Sequence, residues 1–96
     1  MKSREDILNY MSASLERFST SYSVRRIGIF GSMARGEAME GSDLDVLVEF
    51  AEPTFDNYMD LKFEIEDTLG MPVDLVIEDS LKPRLRPIIA QEVVYV

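Results

Sequence analysis

Five residues in this chain of 96 have types and spacings that could do chemistry together: Gly31, Ser32, Asp43, Asp45 and Asp74. Side chains in a strand alternate faces. In the run Ser42-Asp43-Leu44-Asp45-Val46-Leu47-Val48 the two aspartates therefore project to one side, while Leu44 and Val46 point into a core. Two carboxylates side by side repel and raise each other's pKa unless a cation lies between them. A hard divalent ion held by oxygens is one solution; an acidic strand edge facing water has the same pattern. A strand that ends in Gly31-Ser32 before a short helix leaves unpaired N–H groups aimed at one spot, which suits a phosphate. Gly31 permits close backbone approach and Ser32 adds a hydroxyl donor, although a plain turn capped by Ser32 reads the same way. Asp74 stands early in the apolar run Val73-Asp74-Leu75-Val76-Ile77. A carboxylate there is costly unless it is paired, bound to a cation or left in water at a frayed strand start. If that strand lies beside the one carrying Asp45, Asp74 completes a cluster of three carboxylates.

Composition narrows the chemistry further. With no cysteine there is no disulfide, thiolate metal site or cysteine nucleophile, and with no histidine there is no Ser-His-Asp triad and no imidazole base. Acid–base work falls to carboxylate, lysine or tyrosine, and any metal site must use oxygen ligands, which favours Mg²⁺, Mn²⁺ or Ca²⁺. A P-loop is absent. The formal charge of −8 argues against nucleic acid as the primary partner. It is unevenly spread: residues 1–36 carry a net +3, residues 37–79 a net −13 and residues 80–96 a net +2. The start of the chain does not read as a signal peptide and no apolar run is long enough to span a bilayer, so the expected location is cytoplasmic, away from membranes.

The elements that must position these residues are legible in outline. Ser3 and Asp6 resemble a capping box, and Ile7, Leu8, Met11, Leu15 and Phe18 recur at helical spacing. Val24 to Phe30 reads as a strand running into Gly31-Ser32, and Met33–Arg35 opens a short helix ended by Gly36. Asp43 to Phe50 reads as a second strand. Residues 55–69 form a long helix with Tyr58, Leu61, Ile65 and Leu69 on one stripe, Gly70 past its end and Pro72 beyond. Val73 to Glu78 is a third strand. Pro83 and Pro87 keep any helix in the tail short, and Val93–Val96 is a last strand. Strands alternating with helices in so short a chain predict an α/β (α+β) fold, a small mixed sheet with packed helices, in a single domain over residues 1–96.

Gly31-Ser32, ten residues, then Asp43-x-Asp45, with Asp74 as third acid, resembles the nucleotidyltransferase superfamily that includes the DNA polymerase beta-like palm. The fuller run Gly31-Ser32-Met33-Ala34-Arg35-Gly36 and Ser42-Asp43-Leu44-Asp45-Val46-Leu47-Val48 is closest to the minimal, MNT-type members. The end of the chain, Leu81-Lys82-Pro83-Arg84-Leu85-Arg86-Pro87 and then Glu92-Val93-Val94-Tyr95-Val96, is also similar to that family. The resemblance implies transfer of a nucleotide from an NTP, usually ATP, with two Mg²⁺ (Mn²⁺ as a stand-in) and the phosphates on the Gly31-Ser32 turn. By the same resemblance Asp43 and Asp45 bridge both metals, while Asp74 holds the catalytic metal and takes the proton of the attacking hydroxyl. Arg35 is a candidate for phosphate oxygens, and Ser42 for orienting the strand of Asp43.

A chain this short leaves no room for an acceptor-binding domain, so the acceptor must arrive on another protein or a second copy of this one. Minimal members resemble antitoxins of HEPN-type toxins, in which AMP added to a toxin tyrosine silences it. Lys82, Arg84 and Arg86 are a candidate docking face for such a partner. Transfer to a small molecule such as an aminoglycoside, and a non-catalytic antitoxin that only sequesters its partner, are the alternatives.

Overall fold

The computed structural model describes residues 2–96; Met1 lies outside the described residues. The first helix, α1 (Arg4–Tyr22), starts on the expected capping box. The Ser3 hydroxyl accepts from the Asp6 amide at 3.0 Å, and the Ser3 amide donates to the Asp6 carboxylate at 3.2 Å. Ile7, Met11, Ser14 and Phe18 form its buried stripe. The phase set by Ile7, Met11 and Phe18 puts Ser14 at the stripe's centre and leaves Leu8 and Leu15 on its flanks, packed against the core from its edge.

Strand β1 (Val24–Phe30) runs straight into α2 (Gly31–Ala34), a single helical turn. This turn begins two residues earlier than the expected Met33 start, because Gly31 already has its carbonyl engaged by the Arg35 amide at 3.1 Å. After a loop come β2 (Leu44–Phe50), α3 (Phe55–Leu69) and β3 (Val73–Ile77). Asp43 stands just ahead of β2 instead of within it, and Glu78 opens a 3₁₀ turn (Glu78–Ser80) instead of ending β3. Helix α3 is capped by the Thr54 hydroxyl, which accepts from the Asn57 amide at 3.1 Å, and it stops at Gly70. The tail forms α4 (Arg86–Glu92), with Pro87 in its first turn where a missing N–H costs nothing, and the short β4 (Val94–Tyr95).

The four strands make one mixed sheet in the order β3-β2-β1-β4, with β2 parallel to β3 and antiparallel to β1, and β1 antiparallel to β4. One face packs on α1 and α3: Ile27, Ile29, Leu44, Val46, Val48, Val73 and Leu75 meet Met11, Phe18, Leu61 and Ile65 in a single core. Alternation then sends Asp45, Leu47 and Asp74 to the other face. No described helix is long and apolar enough to cross a membrane.

On that second face Arg26 lies over the Tyr95 ring at 4.3 Å and donates to both Glu78 carboxylate oxygens at 2.7 and 2.8 Å. The Tyr95 hydroxyl donates to Glu78 at 2.6 Å. Burial pushes the Glu78 carboxyl up, but the bonds from Arg26 and Tyr95 outweigh it and hold the group below its ordinary value. Burial and the neighbouring Glu78 push Tyr95 up to about 12. The ionised Glu78 therefore stabilises the fold above the unfolded glutamate pKa, and that contribution is lost as pH falls through the folded one. Glu78→Gln should cost about 1 kcal/mol at pH 7. In thermal melts from pH 7 to pH 3 the gap to the wild type should close; a constant gap would show that shape, and not charge, sets the contribution.

Candidate active site

The site is assembled where β1 ends beside the middle of the sheet. Phe30 pairs with Asp45 across the antiparallel β1–β2 ladder, and Asp45 pairs with Asp74 across the parallel β2–β3 ladder. The Gly31 turn, Asp45 and Asp74 thus occupy consecutive strands at one level. Gly31 has φ +71°, and a Cβ built on it would stand 2.1 Å from an Asp45 carboxylate oxygen and 3.0 Å from its carbon. The carboxylate consequently lies directly against the backbone of the turn. Both the backbone conformation and the contact require glycine.

Asp45 is half-buried, whereas Asp43 and Asp74 are exposed. Burial pushes the Asp45 carboxyl above its ordinary value, and the charges of Asp74, Asp43 and Glu92 push it further in the same direction against a smaller opposing pull from Arg35. Among the described residues no three acidic side chains converge closely enough to enclose an ion unaided. The donors are nevertheless all hard oxygens, in register on adjacent strands and mutually repelling, which is the chemistry that suits Mg²⁺ once phosphate oxygens complete its shell.

The other residues singled out by the sequence lie around this centre. Ser32 is half-buried at the second position of α2. The Ser42 hydroxyl accepts from the Met39 amide at 3.1 Å, and its own amide donates to the Met39 carbonyl at 3.0 Å, closing the turn that delivers Asp43. Arg35 is engaged by carboxylates: Nε reaches Glu37 at 3.3 Å and Nη1 reaches Glu92 at 3.0 Å. The basic tail residues Lys82, Arg84 and Arg86 are all exposed, and Arg86 also donates to the backbone carbonyls of Leu81 and Asp79 at 3.4 Å.

Glu92 enters the sequence reading only as part of the family-like run Glu92–Val96, with no role of its own. One of its oxygens accepts from the Gly31 amide at 3.0 Å while the other accepts from Arg35. Beyond that run, its signal in the sequence is to be the one acid among residues 80–96. Two residues along β2 from Asp45, on the same face, Leu47 forms part of a groove of ≈ 380 Å³ shared with Arg26, Glu78, Ile89 and Tyr95.

The nucleotidyltransferase domain family matches residues 11–96. The chain belongs to this family. Protein adenylyltransferase MntA of Thermococcus cleftensis is 41% identical over 97 residues, which cover 100% of this chain and 98% of the relative. A solved minimal nucleotidyltransferase is 39% identical and superposes with a TM-score of 0.83, over 97% of this chain and 95% of that one. The MNT antitoxin structure solved in complex with tri-AMPylated HEPN toxin of Shewanella oneidensis shares the fold at a TM-score of 0.68 and 19% identity, over 96% of this chain and 70% of that one. The chain is accordingly a nucleotidyltransferase of the minimal type, and its mixed four-stranded sheet is the fold of that family.

Proposed function

We propose that this nucleotidyltransferase moves AMP from ATP to a hydroxyl of another protein, a tyrosine of a HEPN-type toxin, and so acts as an antitoxin in the cytoplasm. The observation that carries the proposal is the contact of the Asp45 carboxylate with the Gly31 backbone, in register with Asp74. It places a turn suited to phosphate directly beside carboxylates suited to Mg²⁺. The adenylyltransferase name of the MntA relative, matched along its whole length, supports AMP as the group transferred. The AMPylated toxin bound to a chain of the same fold supports the acceptor.

The Gly31-Ser32 turn holds the β- and γ-phosphates, with the Ser32 amide and hydroxyl as donors and Arg35 on the flank. Asp43, Asp45 and Asp74 are the residues that would hold Mg²⁺. Bound there, the ions would neutralise charge building on the α-phosphate and on the leaving pyrophosphate. The acceptor oxygen bonds to the α-phosphorus as the α–β bridging P–O bond breaks. Asp74 takes the phenolic proton and pyrophosphate departs. Exposure of Asp74 leaves its side of the site open to a large acceptor. The groove that Leu47 shares with Arg26, Glu78, Ile89 and Tyr95 lies farther along the same sheet face and offers an incoming aromatic side chain a lining of both apolar and charged groups.

The test is to incubate the protein with Mg²⁺, α-labelled ATP and a candidate HEPN-type toxin. The toxin should gain AMP on tyrosine, each unit matched by one pyrophosphate. An unlabelled toxin that is still inhibited at equal stoichiometry would show sequestration instead. Efficient labelling of a small hydroxyl compound alone would replace the protein acceptor.

A further inference from the structure

Helix α4 buries none of its residues. The return of β4 along β1 is what brings its C-terminal end to the Gly31 turn. Glu92, the last residue of α4, is placed against three separate costs. A carboxylate in the last turn of a helix opposes the exposed carbonyls there. Its charge bears on Asp45, which is already burdened by Asp74 and Asp43. It also adds negative charge beside a turn that would take phosphate. What offsets these costs is geometry: one carboxylate spans the Gly31 amide and the Arg35 guanidinium, both at 3.0 Å, and the first of these bonds reaches across 61 residues of sequence. A charge-assisted pair of bonds from a single rigid group sets direction as well as distance.

We infer that Glu92 is a positioning residue: it fixes the left-handed Gly31 backbone and aims Arg35, so that the donors it does not use face the phosphates. The inference rests on the phosphate role proposed above for the turn. The Gly31 amide is consumed by Glu92, which leaves the Ser32 amide and hydroxyl for the ligand. The two bonds of Arg35 use Nε and Nη1, and neither uses Nη2. Because β4 pairs Val94 with Ile29 and Tyr95 with Gly28, the carboxylate is tethered from the sheet side immediately after the helix ends. The C-terminal segment thereby braces a turn that lies far from it in sequence.

The probe is tripolyphosphate with Mg²⁺, titrated by calorimetry into the wild type, Glu92→Ala and Glu92→Gln. Glu92→Ala should bind about tenfold more weakly, and its KM for ATP should rise by a similar factor with kcat changed far less. Glu92→Gln keeps an acceptor for the Gly31 amide and should recover most of that loss, a rescue that a merely electrostatic or merely structural role would not give. Equal or tighter binding by Glu92→Ala overturns the inference, since Glu92 would then be neutral toward phosphate or in competition with it. A second measurement needs no variant. On adding tripolyphosphate to the wild type, the Gly31 amide should stay protected from hydrogen exchange; loss of protection there and along α4 would show Glu92 displaced and overturn the inference.

Its failure and that of the proposed function are separable. A wild type that binds tripolyphosphate, with Glu92→Ala weakened, but transfers no AMP refutes the transfer reaction and leaves Glu92 as a brace. A wild type that transfers AMP, with Glu92→Ala binding undiminished, does the reverse.

Discussion

Asp45→Asn should abolish AMP transfer, by at least about a thousandfold, while making the metal-free protein more stable. The two effects follow from one cause. Asp45 is held half-buried, in register with Asp74, with Asp43 two residues away, and its carboxyl is pushed above its ordinary value by burial and by those charges. A group whose folded pKa is raised contributes its full stability only below the unfolded pKa, and that stability is lost as pH rises through the folded pKa. At pH 7 the ionised side chain is therefore a net cost, which asparagine removes with little change of shape. Relief of about 0.5 kcal/mol would raise the thermal midpoint by roughly 2–4 °C in a domain of this size. The gain should be largest at neutral pH and vanish below about pH 4, where both states of the wild type carry the proton. It should also vanish when Mg²⁺ and ATP are added, because only the wild type gains stability from binding them. Melting curves of both proteins at about pH 3 and pH 7, with and without Mg²⁺ and ATP, check each arm. A variant that melts well below the wild type at pH 7 without metal would make Asp45 a structural residue and remove the basis of the site.

The frame of the site is written in short-range patterns, which is why the amino-acid sequence alone makes it legible. Alternation along Leu44-Asp45-Val46 decides that Asp45 leaves the helix-packed face, and the β3 run places Asp74 on the same side. The bounds of β1 and α3 are also legible, because Gly31 and Gly70 mark where each element stops. Features that depend on tertiary contact leave no such trace. Glu92 stands in the family-like run that ends the chain, but no periodicity assigns it a contact; only the return of β4 along β1 brings it to the Gly31 amide. Ser14 reads as a surface serine until the phase of α1 is fixed by its neighbours. The three basic tail residues are all exposed cations, yet Arg86 turns Nε and Nη2 onto local carbonyls, which nothing in its type foretells. The pairing of Arg26 with Glu78 and Tyr95 joins three elements and is invisible to any local window.

Gly31→Ala should reduce transfer by roughly 10²–10³-fold while costing only about 1–2 kcal/mol of stability, and that imbalance is the informative result. Alanine meets two separate obstacles. The first is the backbone, since φ +71° is unfavourable for any residue with a Cβ, and this strain sets most of the stability loss. The second is the Asp45 carboxylate, whose oxygen would lie 2.1 Å from the new methyl group. That oxygen is the free end of a short side chain, so the cheapest escape is for Asp45 to rotate. Rotation relieves the contact but carries the carboxylate away from Asp74 and from the phosphate turn, and a displacement of about 1 Å at a reacting centre is enough to cost about a hundredfold in rate. A double-mutant cycle separates the two obstacles. In an Asp45→Ala background the carboxylate contact is gone and only the Cβ of residue 45 stays close, at 3.3 Å, so Gly31→Ala should retain mainly the backbone cost, and tripolyphosphate binding should fall less than in the native background. Should Gly31→Ala transfer AMP at the wild-type rate, the close approach of turn and carboxylate would not be the basis of the chemistry. Identical stability losses in the two backgrounds would assign the whole cost to the backbone, and the activity loss would then measure the distortion of the phosphate turn alone.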